Sequence, residues 1–136
     1  MLFRSASLTN LVAQAKAAGV RVILGTIPPS EYCTSAGPQP SATAPYNGDL
    51  YPGPENDGSA QRRAVNTWIR TTGAQLPGVA AIADFDQALA YAVHPDFFQP
   101  SYYSDDNFHP NATGYGVQNS AIPLGSILGQ RRDSTF

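Results

Sequence analysis

The stretch Val20-Arg21-Val22-Ile23-Leu24-Gly25-Thr26 runs into Ile27-Pro28-Pro29. It is short, apolar and rich in β-branched residues, and the paired prolines stop it. It reads as a buried strand of a parallel sheet. On its N-terminal side Leu8, Leu11, Val12 and Ala15 recur at i, i+3, i+4 and i+7, which is one face of a helix. Ser7 or Thr9 is placed to cap that helix, and Gly19 sits where a C′ glycine ends it.

Downstream, residues 30–58 form a loop of Pro, Gly, Ser, Thr, Asn and Tyr with little periodicity. Loops of this length inside a domain are functional or disordered, and Tyr32, Tyr46 and Tyr51 favour a packed excursion. Helical spacing returns with Ala60, Ala64, Val65, Trp68 and Ile69, with Ser59 as the expected N-cap and Gly73 as the stop. Trp68 and Ile69 are expected in the core. Val79 to Phe85 reads as a second buried strand, Asp86 to Tyr91 as a short helix, and Pro95 to Asn107 as an aromatic loop. A last helix is expected over 112–128, kinked or cut short by Pro123, followed by a frayed tail over 129–136.

The order helix, strand, loop, helix, strand, loop, helix implies an α/β domain with a parallel sheet covered by helices. Only two strands can be read, and a buried parallel strand expects neighbours on both sides that the sequence does not supply. The bare edge that results is an association hazard, and the isolated chain is expected to be marginal, self-associating or dependent on its long loop.

Composition narrows the function. The 136 residues carry 8 Lys and Arg against 10 Asp and Glu, a net charge of −2. The basic pairs Arg62-Arg63 and Arg131-Arg132 do not extend into a patch, which argues against nucleic acid. The single cysteine, Cys33, excludes an internal disulfide framework, has no basic neighbour to activate it, and leaves no zinc-like cluster. No apolar run approaches the roughly 20 residues that span a bilayer. Residues 1–5 carry no signal-peptide h-region.

The chemistry concentrates in Asp105-Asp106-Asn107-Phe108-His109-Pro110-Asn111-Ala112-Thr113-Gly114-Tyr115. Asp106 and His109 are three apart, just before a helix. A turn at that spacing brings a carboxylate to one imidazole nitrogen, fixes the tautomer and leaves the other nitrogen to act as a base. The plain alternative is a satisfied structural pair. Asp105 reads as a solvated turn-former, and an oxygen-rich metal site would want more carboxylates. Asn111-Ala112-Thr113 fits a glycosylation sequon, discounted because a glycan there would crowd His109. Phe97, Phe98, Tyr102 and Tyr103 either line an acyl or sugar pocket or pack the loop.

Asp106-x-x-His109-Pro110-Asn111-x-x-Gly114-Tyr115 resembles the last conserved block of the SGNH (GDSL-type) ester hydrolases. The flanking order is similar to the C-terminal half of bacterial secreted esterases of that type: Thr26-x-Pro28-Pro29, then Arg62 to Arg70, then Val79 to Asp86. The resemblance implies a flavodoxin-like three-layer α/β/α domain and an exported enzyme that hydrolyses an ester, of an acetylated sugar or a lipid, without a cofactor. His109 and Asp106 would be the base and acid of a Ser-His-Asp triad. The family's Gly-Asp-Ser turn and its oxyanion blocks have no counterpart. Gly48-Asp49-Leu50 carries Leu where Ser is needed, and Asn56-Asp57 lacks the preceding glycine. The expectation is therefore the C-terminal portion of one such domain over 1–136, with the nucleophile elsewhere. The rival expectation is an inactive shortened protein that binds a carbohydrate or a partner.

Overall fold

The computed structural model describes residues 5–29, 57–92, 94–102, 104 and 109–128. The long loop, Cys33, Tyr103, Asp105, Asp106 and the tail lie outside these described residues. Helix α1 spans Ser5–Ala17 and strand β1 Val22–Gly25. Helix α2 spans Asp57–Thr71, followed by a 3-10 turn over Gly73–Gln75 and strand β2 over Val79–Ala83. Next come α3 (Phe85–Leu89), β3 (Ala90–Tyr91), β4 (His94–Phe98) and a 3-10 turn over Pro100–Tyr102. Helices α4 (Ala112–Ser120) and α5 (Gly125–Leu128) complete the described chain.

β1 and β2 pair in parallel, with Leu24 opposite Ile82 and Gly25 opposite Ala83. The α/β class and the parallel sheet are as the sequence implies. Val12 from α1, Leu24 from β1 and Ile69 from α2 form the buried cluster, and Leu8, Val22, Val65, Trp68, Leu76, Val79 and Ile82 pack against it. Helices α1 and α2 thus share the sheet residues Val22, Leu24, Val79 and Ile82, and burying that apolar surface is the main stabilising term.

α1 ends as expected. Gly19 adopts φ +73°, its N–H donates to Lys16 O at 2.9 Å, and Val20 N–H donates to Ala15 O at 2.8 Å. This is a Schellman motif, which places a left-handed residue at C′. The start differs. Ser7 and Thr9 lie inside the helix, and Thr9 Oγ1 donates to Ser5 O at 2.9 Å instead of capping. Likewise α2 begins at Asp57, so Ser59 lies within the helix and does not precede it. Both strands are shorter than the apolar runs that announce them, because Thr26 and Asp84 turn their side chains to each other.

The largest departure is the hairpin. Residues 90–98, read from sequence as a helix end and a loop, form an antiparallel ribbon pairing Ala90 with Phe98 and Tyr91 with His94. Leu89, Phe97 and Phe98 are buried, so these two phenylalanines pack the fold. No Asn-Gly or Asp-Gly pair marks the turn, which is why periodicity alone missed it. The last helix stops at Ser120, ahead of Pro123, and α5 is a separate turn lying against β2.

Candidate active site

Ligands in open α/β sheets bind outside the C-terminal ends of the strands. Here those ends are Gly25 and Ala83, followed by Thr26 and Asp84. Thr26 N–H donates to Ala83 O at 3.0 Å and prolongs the pairing. Its hydroxyl donates to Asp84 Oδ1 at 3.0 Å and accepts from Asp86 N–H at 2.9 Å. Asn66, fully buried on α2, closes a two-point contact with the backbone after β1. It accepts from Ile27 N–H at 2.7 Å and donates to Ile27 O at 2.8 Å.

Around this junction three guanidinium groups meet three carboxylates. Arg62, 5% exposed, pairs with Asp86 and Asp96, and Arg63 also pairs with Asp96. Arg70 makes a bidentate contact with Asp84, Nε to Oδ2 at 2.7 Å and Nη2 to Oδ1 at 2.6 Å, and reaches Asp86 Oδ2 at 2.8 Å. The Arg70 contact holds the Asp84 carboxyl below the usual carboxylate range, against a smaller opposing effect of burial. Asp84 also caps α3, accepting from Gln87 N–H at 3.1 Å. An open groove of about 600 Å³ runs beside the network, lined by Arg70, Asp84, Asp86, Gln87, Tyr91 and Pro95 among others. Its carboxylates are already engaged by arginines, and a carboxylate held ionised this way is a poor general base.

By sequence Arg62-Arg63 is a basic pair that extends into no patch, and Ala60 and Ala64 share the helical spacing of Val65, Trp68 and Ile69. The structure adds what the spacing does not show. Ala60 and Ala64 are exposed, while Arg62, Asn66 and Ile69 are buried. The face is set by polar residues that find partners, which a purely apolar count does not register. The available signal was Arg62, Asn66 and Arg70 at successive fourth positions, with Asp84-x-Asp86 after a strand.

His109 lies where its block predicts, on the loop that leads into α4, and it is exposed. Its carbonyl accepts from Ser104 N–H at 2.9 Å and from Ser104 Oγ at 2.8 Å. Two residues on, Asn111 N–H donates to Tyr102 O at 2.7 Å. The Asn111 side chain caps α4 through Gly114 N–H at 3.0 Å and donates to Ser101 O at 2.8 Å. Both ends of that amide are therefore in use, and the sequon is spent on architecture. Gly114 fits because a Cβ there would meet Tyr102 O at 2.7 Å and Pro110 Cβ at 2.8 Å. Asp106, the predicted partner of His109, lies outside the described residues. Among those residues no group of three or more His, Cys, Asp and Glu is placed to hold a metal ion, and no helix is long and apolar enough to cross a membrane.

A parallel α/β sheet with a His-Pro-Asn turn feeding a capped helix defines the class of fold, and the comparison with known families agrees. Residues 3–117 match the GDSL-like Lipase/Acylhydrolase family, and the chain belongs to that family. Membership points to hydrolase activity on ester substrates. Among curated proteins none matches this chain.

Proposed function

We propose that this chain is the part of a GDSL-type ester hydrolase that supplies the general base, His109, with Asp106 orienting its imidazole. The observation that carries the reading is the exposed His109 on a loop closed by Ser104 and pinned to a capped helix, within a chain matched to the family over 3–117. In the reaction His109 takes the proton from an attacking serine hydroxyl, the serine adds to the ester carbonyl, and the alcohol leaves as His109 returns the proton. Water then hydrolyses the acyl-enzyme by the same relay. The serine is proposed to come from outside these 136 residues, because no Gly-Asp-Ser turn occurs in them. The ester is that of an acetylated sugar or a lipid, and no cofactor takes part.

The same missing serine favours a second reading, a catalytically inactive module that binds a carbohydrate or a partner. Hydrolysis of an activated aryl acetate by the chain, beside His109→Ala, separates the two. General-base assistance by His109 alone is worth on the order of 10²–10⁴-fold over water, so a drop to background in the variant supports the first reading. Equal rates end it for this chain. A serine-reactive phosphonate should label no residue, and labelling would reveal a nucleophile within the sequence. The described parallel sheet has only β1 and β2, so one edge of each lacks a strand neighbour among the described residues. Self-association through such an edge is proposed, and sedimentation of a monodisperse monomer would refute it.

A further inference from the structure

The backbone bearing His109 is tied far more firmly than an exposed loop residue requires. Both lone pairs of its carbonyl are taken, one by the N–H and one by the hydroxyl of the same residue, Ser104. Pro110 follows directly, which fixes its own φ and disfavours helical backbone at His109. Beyond Pro110, Asn111 is fastened at three points, to Tyr102 O, Ser101 O and Gly114 N–H. Bonds at an exposed carbonyl replace bonds to water and add little to global stability. What they add is order, which a base needs in order to meet a proton within hydrogen-bond reach.

We propose that Ser104 is a positioning residue for the His109 imidazole: its two donors on one carbonyl form a closure between Ser104 and His109 that fixes the backbone from which the imidazole projects. This rests on the reading of His109 as the general base. Ser104 touches neither substrate nor reacting atoms in this scheme. It acts through the placement of His109, and the hydroxyl is the part of it that a substitution can remove while the backbone donor stays.

The test uses the whole chain and nuclear magnetic resonance of its two histidine rings, His94 serving as the internal control. Ser104→Ala should loosen the closure about fivefold, the worth of one ordinary hydrogen bond. The His109 tautomer ratio should then move toward that of free imidazole, with His94 unchanged and Ser104→Thr restoring the ratio. An unmoved His109 ring in a folded Ser104→Ala protein overturns the proposal. Should that variant not fold, the wild-type Ser104 amide decides: exchange at least about tenfold slower than in an open peptide supports the closure, and exchange at the open rate refutes it. Asp106→Asn separates this idea from the one beneath it. A ring that responds to Ser104→Ala but not to Asp106→Asn breaks the base assignment and keeps the closure. The opposite pattern keeps the base and breaks the closure.

Discussion

At the ends of β1 and β2 charged side chains do the holding: Arg62, Arg63 and Arg70 grip Asp84, Asp86 and Asp96 and tie α2 to α3 and β4. At the head of α4 the holding is done by backbone groups, one serine hydroxyl and one asparagine amide. The first region spends its ionisable groups on each other and is partly buried. The second leaves His109 exposed and fastens the chain on which it sits. The contrast separates architecture from chemistry. Charges consumed in pairs make a frame, whereas at His109 the fastening falls on the backbone carbonyl, which takes both Ser104 donors.

Breaking the frame should have the largest effect. Arg62→Met removes the one buried cation shared by Asp86 and Asp96 and leaves both carboxylates short of a partner. Losing one member of a buried pair costs about 3–5 kcal/mol; urea unfolding should place this variant toward the lower end, because Arg63 and Arg70 remain. A loss below about 1 kcal/mol would mean that the network is ornamental. The His109 loop should be unchanged in its spectra, since the partners of Arg62 are Asp86 and Asp96.

Next comes Asn66→Ala. It strands the Ile27 N–H and C=O beside a buried site. Each unsatisfied group costs about 1–3 kcal/mol, so a total near 3 kcal/mol is expected in the same assay. Asn66→Asp should recover the accepting half only, and its stability should fall between the two.

How far the fold was legible follows the same division. The parallel strands and Gly19 could be read because apolar runs and a C′ glycine are local signals. Phe97 and Phe98 could not be placed, since β4 pairs only with the two-residue β3 and the turn between them lacks the usual residues. Arg62 and Asn66 were hidden for a different reason. Their burial depends on partners 24 to 39 residues away, and a polar residue declares itself inward only when its partner is known. The loop that carries His109 into α4 could be read because Pro110 marks the entry to a helix. The double bond from Ser104 was not, because a serine before an acidic pair signals only a turn.

A smaller effect sharpens the comparison through pH. Arg70 holds the folded Asp84 carboxyl below its usual 3.8, so the unfolded chain binds the proton more readily. The contribution is fully present above that usual value and is lost as pH falls through the lower folded one. Arg70 is about a third exposed, which scales the effect to that of a surface pair, under about 1 kcal/mol. Arg70→Gln should therefore lower stability near neutrality by that amount, lose the difference below about pH 4, and so flatten the acid limb of the stability curve. A limb of unchanged slope would show that the Arg70–Asp84 pair does not set the acid sensitivity.

The smallest expected change in stability carries the most about function. His109→Ala keeps the carbonyl that accepts both Ser104 donors, keeps Pro110 and Asn111, and removes only an exposed ring. Surface changes of that kind stay within about 0.5 kcal/mol. Urea midpoints of variant and parent should coincide even where hydrolysis by the variant falls to background. A loss above about 1 kcal/mol would show that the ring itself supports the loop, as a structural Asp-His pair would. The two regions would then no longer differ in kind, because the imidazole would be consumed in the frame just as the arginines are.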